Sequence, residues 1–220
     1  MIAKQAGHSA GLFISFEGGE GAGKSTQLCH LAAILRKAGH EIVTTREPGG
    51  TPLAEAIRAL LLTHEAASQE AMTQALLFAA ARRDHVERVI RPALARGAIV
   101  LCDRFADSTR AYQGGAIAPD DLETIIRLAT GGLEPHLTIL LDVPVAAGLA
   151  RARKRAAMAD TFEQAAESFH EGVRMRFLTL AQENPARIHV FDAQAEVDDL
   201  ARDILARLAA QLPRVRMGDA

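Results

Sequence analysis

Cysteine is nearly absent: Cys29 and Cys102 are the only two in 220 residues. Two thiols make neither a disulfide framework nor a zinc set, so a reducing compartment is expected. An excess of one charge is missing too, because 25 Lys and Arg meet 27 Asp and Glu for a net −2. That excludes a chain built to coat nucleic acid, though not local basic clusters. No apolar run approaches the roughly 18 residues that mark a membrane span. The longest, Ala75 to Ala81, is far too short. The first eleven residues (MIAKQAGHSAG) lack the apolar core of a signal peptide and read as a loose tail, 1–11. The expectation is a cytoplasmic chain with no membrane or nucleic-acid partner. The eight histidines are scattered without metal-ligand spacing. His85, after Arg82-Arg83-Asp84, could approach the site and otherwise reads as a satisfied surface histidine, and Cys102 as a buried strand thiol.

What is present is ordinary for a globular domain, 49% hydrophobic and 24% charged. At about 150 residues per domain the length fits one domain, or one with an insertion. Five short β-prone runs stand out: Leu12 to Glu17, Glu41 to Thr45, Ala98 to Cys102, Leu137 to Leu141 and Ile188 to Phe191. Between them lie helical patterns. These run from Lys24 to about Ala38, Thr51-Pro52 to Leu62, Gln69 to about Ala95 (capped by Ser68 and broken near Pro92), and Phe105 to Gln113. Others run from Pro119 to Gly131, Pro144 to about Arg155, Phe162 to Gln182 and Glu196 to Leu212. Strands alternating with helices predict an α/β fold, a parallel sheet with helices on both faces. Ligands then belong at the carboxyl ends of the strands. Gly18, Arg46, Asp103-Arg104 and Asp142 fall there. The single domain is expected over 12–212, with a short tail at 213–220.

Gly18-Gly19-Glu20-Gly21-Ala22-Gly23-Lys24-Ser25 matches G-x-x-x-x-G-K-[ST], between a strand and a helix as the motif requires. Its glycines let backbone N–H groups turn toward phosphate, Lys24 adds charge, and Ser25 offers a hydroxyl to Mg²⁺. Thr26 completes the expected nucleotide-binding stretch. Asp103, at the end of an apolar strand, fits a second Mg²⁺ ligand or a cap for the next helix. The only asparagine, Asn184, precedes Pro185, so the Asn-Lys-x-Asp guanine reader of a GTPase is missing.

Further residues narrow the class. Arg46-Glu47-Pro48-Gly49-Gly50-Thr51 follows the second strand, and Leu77-Phe78 and Arg82 lie on the long helix. Asp103-Arg104-Phe105 leads to Ser108 and Ala111-Tyr112-Gln113-Gly114, and Arg151, Arg153 and Arg155 cluster after the fourth strand. Taken together and in this order, the set closely resembles the thymidylate kinases, P-loop nucleoside monophosphate kinases, over Leu12 to about Asp192. The resemblance implies a three-layer P-loop NTPase fold with sheet order 2-3-1-4-5, a small lid at about 151–163, a homodimer, and transfer of phosphate from Mg²⁺-ATP to dTMP.

It also implies roles. Arg46 and Arg104 hold the dTMP phosphate; otherwise both are surface arginines. Periodicity alone reads Phe78 as core and Arg82 as a surface charge. The resemblance instead stacks Phe78 on thymine and aims Arg82 at O4, with Ser108 and Thr109 near the base edge. Tyr112 and Gln113 resemble sugar and base contacts, and Glu20 an acceptor for the sugar 3′-OH. Lys24 and Arg104 are expected catalytic cations, and the resemblance adds Arg155, then Arg153, from the lid, because Gly21 stands where one subgroup places a basic residue. The lid departs from the family's Asp-Arg-Phe/Ile-Glu, with Asp160-Thr161-Phe162-Glu163 and about one extra residue. The alternatives are another nucleoside or nucleotide kinase, or an ATP-binding regulatory protein.

Overall fold

The computed structural model describes residues 11–63, 69–155 and 166–211. Among them, strands β1 (Leu12–Glu17), β2 (Ile42–Arg46), β3 (Ile99–Asp103), β4 (Leu137–Asp142) and β5 (Ile188–Asp192) form one parallel sheet. Their order is β2-β3-β1-β4-β5, as expected. The tail at 1–10, the Ser68 cap, Phe162 with the rest of the lid beyond 155, and the tail at 213–220 lie outside the described residues.

β1 is buried on both sides, which is why it reads as a near-continuous apolar run. Ile14 and Phe16 face helices α1 (Lys24–Lys37) and α9 (Val197–Gln211) through Leu28, Leu31, Leu35, Ile204 and Leu208. Phe13 faces the other way, with Val86, Ile90, Val100 and Phe105. That second layer holds α3 (Ala71–His85), α5 (Ala106–Gln113) and α6 (Pro119–Thr130). Helix α8 (Glu167–Glu183) packs on α5 through Val173, Phe177 and Ala111. Glu17, on the Phe13 face, is therefore buried at the end of β1 against α5.

Several boundaries move. β2 and β3 each begin and end one residue later than the sequence pattern predicts, because parallel pairing aligns Ile42 with Ile99 and Arg46 with Asp103. The long helix does not break at Pro92. α3 passes through a π turn, Val86–Ile90, into α4 (Arg91–Ala95). A proline ring crowds the carbonyl four residues back, and a widened turn relieves that without ending the helix. α2 (Pro52–Leu61) starts as expected: Thr51 Oγ1 accepts the Ala54 N–H at 3.1 Å, and Pro52 needs no partner for a missing N–H.

Candidate functional site

The loop from Gly18 leaves β1 and enters α1 through Gly23, at φ 88°. Lys24 folds back over it, and Nζ donates to the carbonyls of Gly18 (3.1 Å) and Gly19 (2.8 Å). Burial pulls its pKa down to about 8, with Arg104 adding to the fall against Glu20 and Asp103. Ser25 Oγ donates to Asp103 Oδ2 at 2.5 Å, made possible because β1 and β3 are neighbours. These are two hard oxygens beside a phosphate loop. Mg²⁺ commonly takes one or two protein oxygens, with phosphates and water supplying the rest, so the donor set fits it.

Gly21 and α7 (Val145–Arg155) meet backbone to backbone. A Cβ at Gly21 would lie 1.9 Å from the carbonyl oxygen of Gly148, and one at Gly148 2.4 Å from that of Glu20. The bare position that the sequence exposed is thus a contact with the helix carrying the arginine cluster. Arg151 Nη1 donates to Ala193 O at 2.8 Å, and Arg153 is exposed. The Arg155 side chain lies outside the described residues.

Arg104 takes a left-handed backbone, φ 70°, at the end of β3. Its guanidinium donates to Gly18 O (3.0 Å), Glu20 Oε1 (2.7 Å) and Ser108 Oγ (3.3 Å), and lies 5.1 Å from the Tyr112 ring centroid. The Tyr112 hydroxyl donates to the same Glu20 oxygen at 2.7 Å. Burial alone would raise the Glu20 carboxyl, but Arg104, Lys24 and the Tyr112 hydrogen bond outweigh it and hold it at about 2. An acid inside a phosphate loop thus has its partners.

Beyond Arg104 opens a cavity of about 140 Å³. Of the predicted substrate residues, Glu20, Phe78, Arg82, Arg104, Ser108, Thr109, Tyr112 and Gln113 all line it. Arg46 does not. It stands 55% exposed and pairs with Glu55 at 3.0 Å, because alternation at the end of β2 turns Arg46 outward and Glu47 inward. Arg58, which donates to Pro48 O at 3.2 Å, lines the cavity instead.

The base of the cavity corrects the reading of Arg82 as a surface charge and of His85 as a surface histidine. Arg82 is 3% exposed; Nε donates to Glu47 Oε2 (2.7 Å), Nη1 to Thr109 Oγ1 (3.0 Å) and Nη2 to Phe105 O (3.1 Å). His85 is fully buried, with Nδ1 at 2.9 Å from Glu47 Oε1. Burial works against the Glu47 charge, but Arg82 and His85 bring its pKa below the usual carboxylate value. Glu17 also escaped the sequence reading. Its carboxylate accepts the Phe105 N–H (2.7 Å) and the Ser108 hydroxyl (2.6 Å), tying the Asp103–Phe105 turn to the phosphate loop. Burial, helped by Asp107, pushes its pKa up to about 8 despite those bonds. An acid closing a largely apolar strand just before the glycine loop was the available signal.

A family model described as thymidylate kinase matches residues 16–204. A thymidylate kinase of Caulobacter vibrioides is 56% identical over 190 residues, 86% of this chain and 91% of that protein. One of Pseudomonas putida is 50% identical over 209 residues, 94% of this chain and 99% of that protein. The crystal structure of thymidylate kinase from Ehrlichia chaffeensis superposes with a TM-score of 0.73 at 33% identity, covering 91% of this chain and 99% of that one. The chain belongs to the thymidylate kinase family, and its reaction is the phosphorylation of dTMP.

Proposed function

We propose that the phosphate donor is Mg²⁺-ATP, bound at Gly18 to Thr26, and that the cavity beyond Arg104 holds dTMP. The carrying observation is the position of Arg104, bonded to the loop through Gly18 and Glu20 while lining the cavity. One guanidinium there reaches both phosphate sites, and its planar fork suits a phosphate. The attacking atom is a phosphate oxygen. A phosphomonoester has its second pKa at about 6, so at neutral pH no general base is required.

What the chain must do is bring two anions together. Lys24 gives up its contacts to Gly18 and Gly19 and turns to phosphate. Arg104 does the same with Gly18 and Glu20, and Glu20 is then free to accept the sugar hydroxyl. Mg²⁺, held by Ser25 and Asp103, supplies charge neutralisation when bound. Arg155 is the stronger of the two lid candidates: position 155 follows Gly148 by seven residues, on one helix face, and position 153 does not. Phe78 stacks on the base and Arg82 donates to its carbonyl. The Tyr112 ring, beneath the sugar, disfavours a ribose by bulk.

Two free thiols, Cys29 and Cys102, suit a cytoplasmic setting. Leu53, Leu60, Leu76 and Leu128 are 54%, 49%, 54% and 69% exposed on the neighbouring helices α2, α3 and α6, which suits a homodimer. Sedimentation at micromolar concentration tests that; a monomer there removes it. The site reading is tested by ADP release from Mg²⁺-ATP with dTMP, dUMP, the ribose analogue of dTMP, dCMP, AMP or thymidine as acceptor. Strong stimulation by dTMP, weaker by dUMP and little by the others is expected. Equal use of dCMP or of the ribose analogue overturns the roles of Arg82 or Tyr112.

A further inference from the structure

Arg82 makes one bond to Glu47 where an arginine and a carboxylate ordinarily make two. Nε donates to Oε2 at 2.7 Å, while both η nitrogens point elsewhere, to Thr109 and Phe105. Fork-to-fork pairing is frequent for these groups, and here another donor stands at the second carboxylate oxygen. His85 does, with Nδ1 at 2.9 Å from Oε1. The ring is itself held. Nε2 lies 2.6 Å from Thr45 Oγ1, and a Cβ at Gly50 would lie 2.7 Å from the ring's Cδ2, so the Gly49-Gly50 turn closes directly over it. A neutral ring satisfies both contacts, with Nδ1–H donating to the carboxylate and Nε2 accepting the Thr45 hydroxyl.

We infer that His85 is a positioning residue for recognition of the nucleobase: by taking one oxygen of Glu47 it keeps Arg82 from embracing that carboxylate, and leaves the guanidinium edge aimed at the ligand. Arg82 has five N–H donors, of which three are assigned to Glu47, Thr109 and Phe105. The remaining two belong to the η nitrogens of a residue that lines the cavity. A group with only donors selects a carbonyl acceptor and rejects an amino group. It therefore suits a 4-oxo pyrimidine and disfavours a 4-amino one. With His85 removed, the Glu47 carboxylate turns, takes a second N–H from Arg82, and withdraws that N–H from the ligand. The inference rests on Arg82 reading the base.

The test compares His85→Leu, which removes the donor, with His85→Asn, whose amide nitrogen can stand where Nδ1 stands. His85→Leu is expected to raise KM for dTMP about tenfold, the scale of one hydrogen bond to a charged group, and to lower the preference for dTMP over dCMP by a similar factor. Its kcat and its KM for ATP should stay near wild type, and His85→Asn should recover most of the loss. If KM for dTMP and the dTMP-to-dCMP preference are unchanged in His85→Leu, the inference is wrong. It is equally wrong if kcat and both KM values deteriorate together without rescue by Asn, since that marks a packing role. Should His85→Leu fail to fold, His85→Asn against His85→Gln decides. Gln places its amide nearer the Nε2 position, so Asn should retain the preference and Gln lose it; the reverse order overturns the assignment. Arg82→Gln separates the two levels. A preference untouched in that variant removes the reading of Arg82 and the inference with it. A preference lost in Arg82→Gln but kept in His85→Leu removes the inference alone.

Discussion

The two ends of the site hold their cations in opposite ways. At the end proposed for the phosphates Lys24 and Arg104 rest on backbone carbonyls and on Glu20, contacts that an incoming anion can replace. At the end proposed for the base Arg82 is fixed by three acceptors within the protein, and the acid it pairs with is fixed by a histidine. The first arrangement suits groups that must follow charge as it moves. The second suits a group that must stay still to tell one base from another, since preorganised donors lose little on binding.

Substitutions should separate these ends by what they damage. The largest effect expected is on turnover: Lys24→Ala or Arg104→Ala should lower kcat/KM by roughly a hundredfold or more, measured by coupled ADP release. A variant keeping a tenth of wild-type activity would end the argument for that residue. Next is stability. Arg82→Ala leaves the Glu47 carboxylate buried without its main partner, and should cost about 3–5 kcal/mol in urea unfolding. Arg104→Ala, whose side chain is 18% exposed beside an equally accessible Glu20, should cost less than half as much. Equal losses would erase the distinction between the two ends.

A pH series adds a second contrast, between the end of β1 and the loop, because Glu17 and Glu20 shift in opposite directions. The Glu17 carboxyl is raised from 4.5 to about 8, so its folded form binds a proton that the unfolded form releases. Its contribution is full below about 4.5 and is lost as pH rises toward 8. Glu20 is lowered to about 2, so its contribution is present above 4.5 and is lost as pH falls toward 2. Glu17→Gln should flatten the fall in melting temperature between pH 5 and 8, and an unchanged slope would show that Glu17 does not titrate there. The smallest effect belongs to Tyr112→Phe. Losing one hydrogen bond to Glu20 should cost about 1–2 kcal/mol in unfolding, with less than tenfold in kcat/KM for dTMP.

The glycine loop and its neighbours could be placed from the sequence because their residues are contiguous or close a strand. Gly18 to Ser25 is one unbroken motif, and Asp103 needs only a neighbouring strand to reach Ser25. Sheet order followed the family pattern, and β1 could be read to the residue because both its faces are buried and most of its residues are apolar. The base end was read only by resemblance. Hydrophobic periodicity marks apolar residues that are buried, but Arg82 and His85 are buried by polar partners, and polar burial has no period. Glu47 lies 38 positions from His85, and nothing local joins them. Arg46 and Glu47 adjoin in one motif but face opposite ways. Side chains alternate at a strand end, so its neighbour, and not Arg46, turns inward.

The contact between Gly21 and Gly148 turns two unremarkable glycines into a mutual exclusion. Any side chain at position 21 must displace the carbonyl of Gly148, and any at 148 must displace that of Glu20. A cation delivered from the loop and a helix seated this closely on the loop cannot occupy the molecule at once. With the loop bare, α7 can sit close enough for its own arginines to serve; with a basic residue there, the helix would have to stand further out. How near two stretches of backbone approach thus limits what position 21 can carry, whichever arginine is placed afterwards.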